Sequence, residues 1–166
     1  IACRSLEADI SFLKQKQDNG ADYIMTQLCW DMDQFRYWLD AIRAAGIWLP
    51  VDVGIMPILD QASTINMALS RNGCVMPRAL CEIISKNWIF PNPFSVGLKT
   101  AKGDEACFDA DVEGKKQSFK EAGIEYTINQ IDEYRACGIN GIHLYALNKY
   151  DDVARIAKEA GLLDLI

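Results

Sequence analysis

Three short apolar runs, each preceded by a helical pattern that ends in glycine, constrain this chain more than any other feature. The first lies within Asp22–Asp31, Asp-Tyr-Ile-Met-Thr-Gln-Leu-Cys-Trp-Asp, after Gly20-Ala21. It is nearly continuous in apolar residues and broken by one amide, Gln27. Such a run reads as a strand buried on both faces in a parallel α/β protein. Chemistry in such sheets sits at the carboxyl ends of the strands, and Gln27 lies at that end.

The rest of the chain repeats the plan. Leu6, Ile10, Leu13 and Gln17 follow helical spacing, which predicts a helix over 5–19 stopped by Gly20. A strand is expected at about Tyr23–Leu28. Asp31 or Asp33 caps the next helix, whose buried stripe is Phe35, Trp38, Leu39 and Ile42. Gly46 ends it, and a second strand comes next at about Pro50–Ile55. Asp52 inside that strand needs a partner if it faces a barrel interior. Asp60 caps a helix with Ile65 and Leu69 inward. Met76-Pro77 opens another, with Leu80, Ile83 and Ile84 as its apolar side. Residues 111–137 read as a long helix with Phe119, Ile124, Ile128, Ile131 and Tyr134 along one stripe. Gly114 and Gly123 weaken that helix and mark a candidate break. A third strand is expected at Gly141–Leu147, and a last helix at about Asp151–Ala160. His143 in the third strand reads as a hydrogen-bonded structural histidine sharing a face with Tyr145.

Residues 86–110 hold Trp88, Pro91, Pro93, Phe94, Gly97 and Gly103 without a clear period. So long a stretch without structure is uncommon within a compact domain, and it reads as an inserted loop. The 166 residues, half of them hydrophobic, suit one domain, 1–166. Net charge is −6, which argues against nucleic acid or anionic lipid as partner. No apolar run reaches the length of a membrane span, and no secretory or transit signal is evident. Cys3, Cys29, Cys74, Cys81, Cys107 and Cys137 form no Cys-x-x-Cys pair. They read as reduced, small hydrophobic residues of a cytoplasmic protein. His143 has no neighbouring ligands, so no metal site is expected.

Helix and strand alternate as parallel crossovers require. Three strands do not close a barrel of eight, and an open sheet leaves its edges bare. The fold class is therefore α/β, with parallel strands flanked by helices. Either it is part of a larger (β/α)8 TIM barrel, or copies associate to cover the open sides. The first residue is not Met, so the chain is expected to be a piece of something longer.

Several segments together resemble the methylenetetrahydrofolate reductase family. They are Gly20-Ala21-Asp22, Ile24 through Gln27, Asp31, Ala44-Ala45-Gly46-Ile47, Gly54-Ile55-Met56-Pro57, Met76-Pro77, Gly123-Ile124-Glu125 and Gly138-Ile139. The closing His143-Leu144-Tyr145-Ala146-Leu147-Asn148 is similar to the family's signature ending. Each is weak alone; their order and spacing are specific. The resemblance covers nearly the whole chain outside 86–110 and implies the C-terminal part of the family's barrel. It implies a flavoprotein oxidoreductase of one-carbon metabolism and methionine biosynthesis. FAD would carry hydride from NAD(P)H to 5,10-methylenetetrahydrofolate, giving 5-methyltetrahydrofolate. By the same resemblance Gln27, Ser63 and Lys149 occupy substrate-binding positions, and Asp9 and Lys16 occupy FAD-contacting ones. Ser63 stands where many members have glutamine, and Lys149 where they have arginine. Phe12 and Gln15 stand where members have polar or basic FAD contacts. The family's catalytic carboxylates lie upstream, so no catalytic residue is assigned and the chain alone is expected to be inactive. The partners implied are folate and either further copies or a chain supplying the remaining strands. The alternative is a non-catalytic folate- or flavin-binding or assembly module. A third possibility is an unrelated barrel enzyme sharing these strand ends by convergence.

Overall fold

The computed structural model describes residues 5–70, 73–89 and 111–163. In order these form α1 (Leu6–Asp18), β1 (Ile24–Met25), α2 (Met32–Ala44), β2 (Val51–Ile55) and α3 (Gln61–Leu69). Next come α4 (Arg78–Lys86), α5 (Val112–Ala136), β3 (Gly141–Leu144) and α6 (Tyr150–Glu159). The three strands form one parallel sheet in the order β1-β2-β3. Val51 lies opposite Ile24, and Ile142 opposite Val53. This is the arrangement of consecutive strands in a (β/α)8 barrel, of which three are present among the described residues.

Local chemistry sets the helix limits. Ser5, Asp31, Asp60 and Asp111 each accept bonds from first-turn amides, starting α1, α2, α3 and α5. Gly20, Gly46, Gly138 and Gly161 sit at positive φ just past helix ends, a conformation that costs glycine little. Pro77, expected at the first helical position, is instead the N-cap of α4, one place before its first helical residue Arg78. α4 runs through Lys86, so the expected loop begins later, and residues 90–110 lie outside the described residues.

One face of the sheet is covered. Ile24, Val51, Val53 and Ile55 pack with Phe35, Ile42, Ile124, Ile131, Tyr134 and Ile156 from α2, α5 and α6. A second cluster, Trp30, Met56, Ile58, Leu80, Ile84 and Phe119, lies beyond the strand ends between α4 and α5. The two are joined where α5 crosses the chain after β2. There Gly123 meets the carbonyl of Ile58 so closely that a Cβ would overlap it. Thr127 Oγ1 donates to Gly123 O at 2.7 Å and accepts from Ile58 N at 3.1 Å. Gly123 is therefore a packing site, and α5 runs through it and Gly114 without a break.

Four other expectations change. β1 is not buried on both faces: Ile24 is buried while Met25 is 50% exposed. β1 is also shorter than expected, because Thr26 Oγ1 accepts the Gly54 N–H at 3.1 Å where a ladder carbonyl would have taken it. Leu69 points outward, 74% exposed, because α3 ends before its next turn reaches the core. His143 is exposed rather than sealed in a core, since β3 is covered on one face only.

Candidate functional site

The uncovered face of the sheet is set by strand alternation. Ile24, Val53 and Ile55 point to the helices, so Met25, Asp52, Gly54 and His143 point the other way. Gln27 continues the Met25 row beyond the paired residues and is exposed. Asp52 is half-buried, and its carboxylate lies over Gly141, its partner across the ladder. The missing side chain at Gly141 makes that room. Tyr145 leans from the end of β3 over Gly54, with its hydroxyl 3.1 Å from where a Cβ would stand. His143 meets Tyr145 edge-on, with ring centroids 4.8 Å apart. This face therefore carries an amide, a carboxylate, an imidazole and a phenol around two glycines.

The turn after Gln27 is held firmly. Tyr134 Oη and Gln130 Nε2 both donate to Cys29 O, at 2.5 and 3.0 Å. Tyr126 Oη donates to Trp30 O at 3.2 Å, and Cys74 Sγ to Leu28 O at 3.3 Å. Burial pushes the Tyr126 phenol up to about 12 and the Cys74 thiol up to about 11. Burial likewise raises Tyr134 and Cys29. All four stay protonated at neutral pH and keep their donor hydrogens. Sequence reading took Tyr134 as part of an apolar stripe and missed Tyr126 and Gln130. Polar residues at helical spacing beside that stripe were the available signal.

Ser63 and Lys149 lie elsewhere. Ser63 sits in the first turn of α3, exposed, and its N and Oγ both donate to Asp60 Oδ1 at 2.7 Å. Lys149 stands at the N-cap of α6 after Leu147 and Asn148, which take positive φ of 45° and 64°. Backbone of this kind in residues other than glycine is uncommon, and here it sets the direction in which α6 departs. Lys149 and Asp60 line a cleft of about 410 Å³ beside the strand ends. Burial raises the Asp60 pKa, but the Ser63 bonds and the charges of Lys149 and Lys116 outweigh it and leave it lowered. The structure thus places Lys149 at a cleft that Asp60 also lines, leaves Ser63 bonded to Asp60 but outside that lining, and leaves Gln27 on the open face. Among the described residues no hydrogen bond joins Gln27 to either.

Asp9 and Lys16 lie on one side of α1, in its first and last turns, about 10 Å apart along the axis. Between them Phe12 is 57% exposed. Gln17 beside Lys16 bonds Gly46 O and Trp48 N, tying that end of α1 to the start of β2. A ligand touching both Asp9 and Lys16 must therefore be long and run down the helix.

Among the described residues no helix is long and apolar enough to cross a membrane. The parallel three-stranded sheet with its crossover helices defines part of a (β/α)8 barrel protein. The family model for methylenetetrahydrofolate reductase matches residues 2–88. Methylenetetrahydrofolate reductase 1 of Schizosaccharomyces pombe is 31% identical over 159 residues, 96% of this chain and 22% of that protein. Methylenetetrahydrofolate reductase (NADH) 1 of Arabidopsis thaliana is 29% identical over 160 residues, 96% of this chain and 23% of that protein. A probable methylenetetrahydrofolate reductase (NADPH) of Caenorhabditis elegans is 27% identical, with 97% of this chain and 20% of that protein covered. This chain belongs to the methylenetetrahydrofolate reductase family. It spans about a fifth of the length of the relatives named here.

Proposed function

We propose that this chain is the folate-side portion of a methylenetetrahydrofolate reductase. The complete protein would reduce 5,10-methylenetetrahydrofolate to 5-methyltetrahydrofolate, with NAD(P)H as donor and FAD as the bound carrier, in cytoplasmic one-carbon metabolism that feeds methionine biosynthesis. The observation that carries this reading is Gln27 at the tip of a bare sheet face, on a turn clamped by four donors. A pterin edge offers donors and acceptors side by side, and an amide meets both. Lys149 gives the substrate's glutamate tail a positive charge, without the fork an arginine would offer. Ser63 is a lesser contact, because its hydroxyl hydrogen already goes to Asp60.

FAD, when bound, supplies the hydride-carrying chemistry. Asp9 and Lys16 suit the far end of such a molecule: a carboxylate for a hydroxyl and an ammonium for the diphosphate, with Phe12 as an apolar shelf. The remaining strands come from elsewhere, upstream in a longer protein or from a partner chain. In the complete protein, Gln27→Ala is expected to reduce folate turnover at least about tenfold, the loss of an uncharged hydrogen-bond pair to the pterin. NAD(P)H–menadione oxidation should stay near wild type. Equal losses in both would make Gln27 structural and favour the assembly-module reading.

A further inference from the structure

We propose that the bare face of the sheet docks against strands that present a lysine or arginine side chain to Asp52. This rests on the reading that further strands complete the barrel, and it adds the chemistry those strands must carry. Asp52 cannot turn to the other face. Its neighbours Val51 and Val53 are fully buried on the helix side, and a strand alternates its side chains. The carboxylate also has a prepared place. It leans over Gly141, its ladder partner, into the room that a side chain there would fill. On its other flank Met25 is 50% exposed, an apolar side chain left for a cover to bury.

The face itself offers Asp52 no lysine or arginine. Met25, Gln27, Gly54, Gly141, His143 and Tyr145 make up the rest of it. Lys149 follows the opposite, carboxyl end of β3. Among the described residues the Asp52 carboxylate takes part in no hydrogen bond or ion pair. While the face is open, water solvates that charge. A closed (β/α)8 barrel has a packed interior rather than a pore, so completing it takes Asp52 out of water. A buried carboxylate left alone is expensive, whereas one paired with a hydrogen-bonded cation is tolerated. Charge complementarity therefore selects the cover: apolar opposite Met25 and cationic opposite Asp52. His143 lies diagonal to Asp52 on β3 and is the competing source of positive charge among the described residues of this face.

The test is thermal unfolding of the complete protein. Asp52→Asn keeps the shape and removes the charge. It should lower Tm by at least about 5 °C, because it leaves the cation buried alone. Each lysine and arginine of the completing strands is then changed to methionine, with and without Asp52→Asn. At one position the double variant should be no less stable than Asp52→Asn by itself, the non-additivity that marks a direct pair. That double variant decides the matter if Asp52→Asn does not fold, since it leaves no unpaired charge and should fold. An unchanged Tm in Asp52→Asn, or full additivity at every lysine and arginine, overturns the proposal. So does a loss that disappears in a His143→Gln background, which would make His143 the counter-charge. The Gln27 experiment reads turnover and this one reads stability, so either can fail while the other stands.

Discussion

Gly123→Ala gives the sharpest test of how this fold is held, because two effects predict opposite signs. Helix propensity alone favours alanine in the middle of α5 by about 1 kcal/mol. The added methyl, however, would stand on the carbonyl of Ile58, which is backbone and cannot rotate aside. α5 would have to move off the chain after β2. Forced overpacking of this kind costs about 1–3 kcal/mol. The same movement stretches the bond from Ile58 N to Thr127 Oγ1, and an orphaned buried amide costs about 1–3 kcal/mol more. The clash wins, with a net destabilisation of about 1–5 kcal/mol. Thermal unfolding should show it as a fall in Tm on the order of 5–15 °C, and urea titration as a lower midpoint at similar slope. Gly114→Ala serves as the control, because there the atoms nearest the methyl belong to the side chain of Asp111 in an exposed first turn, not to backbone. It should cost no more than the lost cap, about 1 kcal/mol. A Gly123→Ala protein as stable as the parent, or more so, would refute the packing argument and restore Gly123 to a mere weak point in a helix.

Other expectations can be checked alongside. Tyr126 and Cys74 have pKa values raised by folding, from 10.0 to about 12 and from 9.0 to about 11. Their contribution is whole below the unfolded values and is lost as pH rises through the folded ones, so stability should fall from about pH 9 to 12. Tyr126→Phe should flatten the upper part of that fall in a urea–pH series. Asp60 behaves in the opposite sense: its pKa is lowered, so its contribution is present above the unfolded value and lost on acidification. Asp60→Ala should remove the α3 cap at about 1 kcal/mol in urea titration and abolish that part of the acid dependence. The isolated chain should purify with little flavin absorbance and show no NAD(P)H–menadione activity. A yellow chain with stoichiometric flavin would overturn the view that the missing strands hold most of the cofactor.

Much of the architecture was legible because it rests on local chemistry. Asp31 and Asp60 announced helix starts, and Gly20, Gly46 and Gly138 announced stops, since caps and left-handed turns involve only near neighbours. The strands were placed by their apolar runs, and Gln27 stood out as the one amide within the first of them. The errors share a cause. Met25 looked as apolar as Ile24, and nothing in either residue says which face of a sheet will be covered. Leu69 fitted its helical stripe but is the last residue of α3 and is 74% exposed.

The sequence by itself determined the order of the elements, the ends of the helices and the parallel pairing, because these arise from capping, periodicity and the crossover length that parallel strands demand; it placed the strands but made β1 and β3 too long, since β1 ends at Met25 and β3 at Leu144. Only the tertiary structure decided that Tyr126, Gln130 and Tyr134 clamp the turn behind Gln27, that Asp60 and Lys149 meet at one cleft, and that Gly123 is a contact. Each of these joins residues far apart in the chain, and the distance between them is set by how helices stack on a sheet.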